Sequence, residues 1–165
     1  MFQTIAEFTG AWQAESASTQ KIMSALTDAS LAQKVSPEGR TLGRLAWHVV
    51  QTLGEMGGHA GLKVEAASEK TPQPATAAAI ADAYTLGAEA VGKAVTAWSD
   101  ADLAGEISMY GDTWTRSKTL QALISHEIHH RGQMTVLMRQ AGLKVPGVYG
   151  PAREEWAAFG MPAQE

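Results

Sequence analysis

Residues 117–140 read SKTLQALISHEIHHRGQMTVLMRQ, and this stretch decides the fold because it joins a helical pattern to a cluster of histidines. Its apolar side chains recur at three- and four-residue steps, which is typical of an amphipathic helix that packs on one side. Gly142 follows at a position where helices commonly end. The stretch therefore predicts a long helix from Ser117 to about Gln140.

Three earlier segments have the same apolar periodicity, and we expect each of them to be helical. They run from about Thr4 to Leu31, from Leu42 to about Val64, and from about Ala75 to Trp98. Residues 103–116 contain Gly111 and Asp112 between β-forming side chains, which fits either a small hairpin or an ordered loop. Residues 152–159 are expected to form a last short helix.

Four helices of roughly twenty residues or more, each with one apolar stripe, bury those stripes most simply as a four-helix bundle. The longer connections at 65–74 and 99–116 leave room for a chain path other than strict up-and-down order. We therefore expect an all-α four-helix bundle with crossover connections.

Length and composition exclude several classes of protein. A chain of 165 residues fits one domain spanning 1–165, and it contains no cysteine, which excludes disulfides, thiolate metal sites and a cysteine nucleophile. No apolar run approaches the roughly 18 residues of a membrane span, and the N-terminus lacks the pattern of a signal peptide, so we expect a cytoplasmic protein with no membrane partner. The net charge of -4 and the absence of a basic block predict no nucleic-acid partner.

The fourth helix carries His126, His129 and His130, which are three of the five histidines of the chain. Residues three and four apart share a helix face, so His126 and His130 can point at one ion, whereas His129 leans away from the apolar stripe. A neutral imidazole is the commonest metal ligand among side chains. The one-turn spacing therefore indicates a metal site, and ordinary core or surface histidines are the alternative.

Two histidines do not complete such a site, and candidates for a third ligand lie on the second helix. His48 stands at the edge of that helix's apolar stripe, beside Leu45 and Val49. His59 lies three turns further on, about 16 Å along the helix axis. One ion cannot take both of these histidines.

Residues 126–130 also satisfy the HExxH pattern of zinc proteases, in which the glutamate is the general base. Glu154 and Glu155 lie at a plausible separation for a downstream ligand. Glu127 falls in the middle of the apolar stripe with Arg131 one turn on, however, and this favours a buried ion pair between them. A zinc hydrolase is therefore the less favoured interpretation.

The motif Trp47-His48-Val-Val, together with HEIHHRGQ at 126–133 and LMRQAGLKVP at 137–146, resembles the DinB/YfiT-like family, and the resemblance covers nearly the whole chain. It implies a four-helix bundle of DinB/YfiT type that binds one divalent metal, zinc or nickel, through three histidines. On that pattern the ligands are His48, His126 and His130.

The better understood relatives in that family are metal-dependent transferases or isomerases that use low-molecular-weight thiols such as bacillithiol or mycothiol. The resemblance thus implies a metal-dependent transferase whose partners are a small-molecule substrate and such a thiol, and it makes a homodimer plausible. The thiol must come from a small molecule, because the chain has no cysteine. A non-catalytic, metal-binding stress-response protein is the alternative, and no catalytic residue is assigned.

Four further residues are candidates for the surroundings of the metal. Gln133 lies on the ligand face and can orient a ligand or a water molecule. Trp47 and Trp114 can line or cover a pocket, although core packing is the common role of such side chains. Arg116 can hold an anionic substrate group, with a structural ion pair as the alternative.

Overall fold

A computed structural model describes residues 1–163 and contains four long helices. They are α1 (Ile5–Ser24), α2 (Leu42–Ala60), α3 (Ala77–Val95) and α4 (Arg116–Gln140). An antiparallel hairpin of β1 (Glu106–Met109) and β2 (Asp112–Thr115) precedes α4, so the segment left open by the sequence is a hairpin. The predicted four-helix bundle is confirmed.

Each of the four long helices begins directly after a threonine. The hydroxyl of that threonine accepts a hydrogen bond from a backbone amide of the first turn, which is the usual role of a capping side chain. The four capping residues are Thr4, Thr41, Thr76 and Thr115. These threonines explain where the helices start, including the start of α2 directly after Thr41 as predicted.

Three helices are shorter than the sequence predicts. α1 ends at Ser24 and not at Leu31, because Thr27 and Ser30 cap each other's backbone and start a separate 3-10 helix, Asp28–Ala32. α2 ends at Ala60 and not near Val64, because Gly61 takes a left-handed conformation with φ 92°.

The third helix, predicted from about residue 75 to residue 98, begins at Ala77 and ends at Val95. The predicted short helix at 152–159 is reduced to a 3-10 helix at Trp156–Phe159.

The helices are arranged so that α2 packs against α3 and α4, and α1 packs against the same two helices. α1 and α2 therefore lie on a diagonal of the bundle. Leu53 of α2 lies against Gly87 of α3, and Gly57 lies near Val91, so α2 and α3 run in the same direction. Parallel neighbours need a connection that returns along the length of the bundle.

Residues 61–76 supply that return and run back beside α2. The side-chain amide nitrogen of Gln51 lies 3.1 Å from the carbonyl oxygens of Ser68, Glu69 and Thr71. The indole of Trp47 donates a hydrogen bond of 3.0 Å to the Thr71 carbonyl. The crossover expected at 65–74 is therefore present, and Trp47 anchors it.

One apolar core is shared by all four helices. Its fully buried members include Phe8 and Ile22 of α1, Leu42 and Leu53 of α2, Ile80 and Tyr84 of α3, and Leu120, Leu123, Met134 and Leu137 of α4. None of the helices within residues 1–163 combines the length and apolar character needed to cross a membrane.

Candidate metal centre

Three histidines meet where the first half of α2 packs against the middle of α4. His48 comes from α2, and His126 and His130 come from successive turns of α4. The Nε2 atoms of His48 and His126 are 3.2 Å apart, and those of His126 and His130 are 3.1 Å apart. One ring nitrogen from each residue lies within 4.8 Å of the other two.

These separations match those of ligands that share an ion. Zinc–nitrogen bonds of about 2.0–2.1 Å at tetrahedral angles place two ligand nitrogens roughly 3.3 Å apart. The Nε2 atom of His126 faces two other ring nitrogens, yet one ring nitrogen can donate or accept only one good hydrogen bond. A cation at this point would take a lone pair from each ring, so the three residues could hold a divalent metal.

Burial favours the neutral form of these imidazoles, which is the form that binds metals. The pKa of His48 and that of His126 are lowered to about 4, mainly by burial and next by the neighbouring His130. Burial also lowers the pKa of His130, against an opposing effect of its hydrogen bond to Gln133. Arg40 contributes in the same direction at all three residues.

Gln133 contacts the imidazoles of His130 and His129 on the ligand face of α4. Its side-chain oxygen lies 2.7 Å from Nδ1 of His130, and its side-chain nitrogen lies 3.1 Å from Nε2 of His129. In the arrangement that satisfies both contacts, His130 donates from Nδ1 and keeps the lone pair of Nε2 for a ligand bond. His129 is thereby an outer partner of the site.

Glu127, the glutamate of the HExxH pattern, does not face the three histidines. It is 1% exposed, and its carboxyl accepts a hydrogen bond from the hydroxyl of Tyr84 on α3. Burial raises the pKa of Glu127. Arg131 pairs with Glu15 of α1 at 2.6 Å, so the predicted ion pair between Glu127 and Arg131 is wrong.

The two glutamates considered as downstream ligands for a protease are also engaged elsewhere. Glu154 forms an ion pair with Arg139. Glu155 accepts hydrogen bonds from the backbone amides of Gly147 and Ala152, at 3.0 and 2.8 Å. The geometry of a zinc protease is therefore not assembled around residues 126–130.

Trp114 in β2 and Arg116 at the start of α4 lie well before the histidines, which are in the middle of α4. Arg116 precedes His126 by ten residues, about 15 Å along the helix axis. It pairs with Asp102 at 3.5 Å and lies over the ring of Trp98. The ring of Trp114 is covered by the ammonium group of Lys118, 4.0 Å from the ring centre. Neither Trp114 nor Arg116, nor Trp47, is among the residues that line the cleft beside His130.

A cleft of about 400 Å³ does border the histidine group. Its lining residues come from the loop before α2, from α2 and from α4, and they are Val35, Gly39, Arg40, Leu45, His130, Gln133, Val136 and Leu137. Sequence reasoning missed the loop residues, because no local pattern connects residues 35–40 with a helix some ninety positions later. The basic residue Arg40, directly after the turn at residues 36–39, was the available signal.

Comparison with known proteins gives one family. The sequence model of the DinB family matches residues 1–165. The chain is 46% identical over 164 residues to the uncharacterized protein YrdA of Bacillus subtilis (strain 168), and the match covers 99% of this chain and 98% of YrdA.

Solved structures agree with this assignment. A DinB-like protein from Bacillus cereus has a TM-score of 0.87 and 46% identity, over 90% of this chain and 100% of that one. The DinB-like protein YjoA of Bacillus subtilis has a TM-score of 0.67 at 17% identity, over 86% of this chain and 97% of that one, which shows a shared fold. The four-helix bundle, the three converging histidines and these matches lead to one conclusion: the chain belongs to the DinB family.

Proposed function

We propose that this protein binds one divalent metal ion, zinc or nickel, through His48, His126 and His130, and acts as a metal-dependent transferase on a small molecule. The observation that carries the proposal is the convergence of three Nε2 atoms, two pairs of which are 3.1 and 3.2 Å apart. Three protein ligands leave coordination positions open, which is typical of catalytic sites and not of closed structural ones.

The second substrate in this proposal is a low-molecular-weight thiol. A divalent ion lowers the pKa of a thiol that coordinates it, and the resulting thiolate is a strong nucleophile near neutral pH. The protein has no cysteine to serve this role. The chain's own contribution is to hold three neutral imidazoles in place, with Gln133 fixing the ring of His130.

Metal analysis of untagged protein tests the first half of the proposal. We expect about one equivalent of zinc or nickel in the wild type and a large loss in the His126→Ala/His130→Ala double variant. His59→Ala provides the matched control, because His59 lies on α2 beside Tyr110, far from the site. Less than about half an equivalent in the wild type, or full retention in the double variant, would contradict the proposal.

A thiol titration tests the second half. Cobalt(II) is substituted for the native metal, and bacillithiol, mycothiol or glutathione is added while the absorption of a cobalt–thiolate bond is followed. We expect a saturable signal with at least one thiol, followed by thiol-dependent turnover of electrophiles. A cobalt protein that binds none of them would refute the thiol-transferase assignment while leaving metal binding intact.

A non-catalytic, metal-binding role is the second candidate, and one observation favours it. The three histidines join α2 to α4 at a half-buried position, so an ion there would also tie two helices together. In that case chelation would lower the melting temperature strongly, and no thiol would be turned over. Thermal melts with and without chelator, combined with the turnover assay, separate the two candidates.

A further inference from the structure

The cleft beside the histidine group is lined mainly by apolar side chains, and Arg40 is the one permanently charged residue in its lining. Val35, Leu45, Val136 and Leu137 give it apolar walls, and His130 and Gln133 border it on the side of the candidate metal centre. Val35 and Val136, which line the same cleft, are 68% and 53% exposed, so the cleft presents aliphatic surface to the solvent. A cleft of about 400 Å³ suits a small molecule rather than a protein segment.

Arg40 supplies the charge in this cleft. Within residues 1–163 its guanidinium has neither an ion-pair partner nor a hydrogen-bond acceptor, although Glu38 is only two residues away. Arg44, one turn into α2, differs in this respect, because it donates a hydrogen bond of 2.9 Å to Gln51. An arginine that is free to form a fork of hydrogen bonds matches a carboxylate or another flat anion.

The loop that carries Arg40 is held in place by the backbone. Lys34 and Thr41 form an isolated antiparallel bridge, and the amide of Leu42 donates a hydrogen bond of 2.8 Å to the carbonyl of Gln33. The ammonium group of Lys34 also donates to the carbonyl of Pro37 at 3.0 Å. A fixed loop keeps Arg40 at the cleft before any ligand arrives, which reduces the entropy that binding costs.

We propose that this cleft binds a small molecule with an aliphatic or aromatic body and one anionic group, with the anionic group at Arg40 and the body between Val35, Val136 and Leu137. The inference rests on the proposed function, since it takes the cleft as the substrate subsite of the same centre. It names the substrate class as an apolar carboxylate or a comparably flat anion. Arg40 is then a specificity residue, and Val136 shapes the site for the apolar body.

Matched probes on metal-free protein test the inference without the metal as a competing anion site. The probes are octanoate and octan-1-ol, and binding is measured by calorimetry or by chemical-shift changes at the cleft residues. We expect octanoate to bind about 10-fold more tightly than octan-1-ol. Arg40→Met removes that difference, and Arg44→Met, which deletes the same charge one turn away, leaves most of it.

A second pair of variants tests where the apolar body of the ligand lies in the cleft. Val136→Asp is expected to weaken both probes by about 10-fold, because it places a charge in the apolar wall. Leu86→Asp, at an exposed position of α3, is the control and leaves both affinities unchanged. The inference is overturned if octanoate has no advantage over octan-1-ol, if the two arginine variants behave alike, or if the two aspartate variants do.

Failure of this inference and failure of the proposed function are distinguishable. Metal content is measured on the same Arg40→Met protein and is expected to match the wild type, since Arg40 is not among the three converging side chains. A wild type that binds metal but no octanoate refutes the inference alone. A wild type that binds octanoate through Arg40 but holds no metal refutes the proposed function alone.

Discussion

The Nε2 atoms of His48 and His126 lie 3.2 Å apart, although 78 positions separate the two residues in the chain. The contact joins α2 to α4, which pack against each other. The two helices run in opposite directions, because Gly61 at the end of α2 lies beside Arg116 at the start of α4. Two half-buried imidazoles in such contact repel each other when protonated, and a shared cation would replace that repulsion with two ligand bonds.

Removal of His48 tests whether the α2 histidine is a full ligand. We expect His48→Ala to lower metal affinity more than the roughly 10- to 100-fold that loss of an outer hydrogen-bond partner costs. Competition with a chromophoric chelator measures the affinity. His129→Ala is the control on the opposite flank of the cluster, and an equal effect of the two variants would contradict a three-histidine site.

Gln133 is expected to act through His130 and not through the metal. Gln133→Leu removes the acceptor of the His130 Nδ1 proton, and we expect about a 10-fold loss of metal affinity with an unchanged stoichiometry. Gln133→Glu keeps an acceptor and restores most of the affinity. If Gln133→Leu binds metal as tightly as the wild type, the hydrogen bond does not position the ligand.

The metal-free protein should lose stability as the pH falls. The pKa of His48 and that of His126 are lowered from 6.5 to about 4 in the folded state. Between pH 4 and pH 6.5 the unfolded chain therefore binds more protons than the folded protein does. The free energy of unfolding therefore falls as the pH drops from 6.5 towards about 4, with no contribution from this source above 6.5. Urea denaturation across the window measures it.

The comparison that isolates this effect is a His48→Gln/His126→Gln double variant, whose stability should depend less steeply on pH over the same window. Glu127 titrates with the opposite sign, because burial raises its pKa, and it is present in both proteins. Equal slopes for the two proteins would show that the two histidines are not desolvated in the folded state.

Tyr84→Phe tests the buried polar pair that replaces the expected Glu127–Arg131 ion pair. The variant leaves the buried carboxyl of Glu127 without its hydroxyl donor, which costs about 1–3 kcal/mol of unfolding free energy. Tyr110→Phe removes an exposed hydroxyl that contacts Glu55, and its effect should stay within about 0.5 kcal/mol. Metal content should be unchanged in both, and a metal loss in Tyr84→Phe would contradict the separation of the two clusters.

Two helical glycines should respond oppositely to alanine. A Cβ on Gly54 would lie 2.9 Å from the backbone oxygen of Ala67 in the crossover, so Gly54→Ala must displace that segment and destabilise the fold by about 1–3 kcal/mol. A Cβ on Gly132 meets nothing within 4 Å, so Gly132→Ala should stabilise α4 by roughly 0.5–1 kcal/mol. Chemical denaturation measures both, and equal signs would contradict the packing described.

The sequence by itself determined the number of helices, the ends of α4 and the histidine pair on it, because these depend on interactions between residues three or four positions apart. Thr41 and Gly142 indicated helix ends through local backbone hydrogen bonding and, for Gly142, a positive φ. The resemblance to a known family supplied His48 as third histidine, which local spacing alone left open against His59.

Only the tertiary structure decided which side chains meet across the bundle. Arg131 pairs with Glu15 at 2.6 Å rather than with Glu127 one turn away, because α1 runs beside α4 and brings a carboxylate of its own. Trp47 donates a hydrogen bond to the crossover segment, and Arg116 forms an ion pair with Asp102. Arg40 lines the cleft from the loop before α2. The physical reason is the same in each case: helix periodicity fixes the face on which a side chain lies, but the packing of distant segments fixes what that face meets.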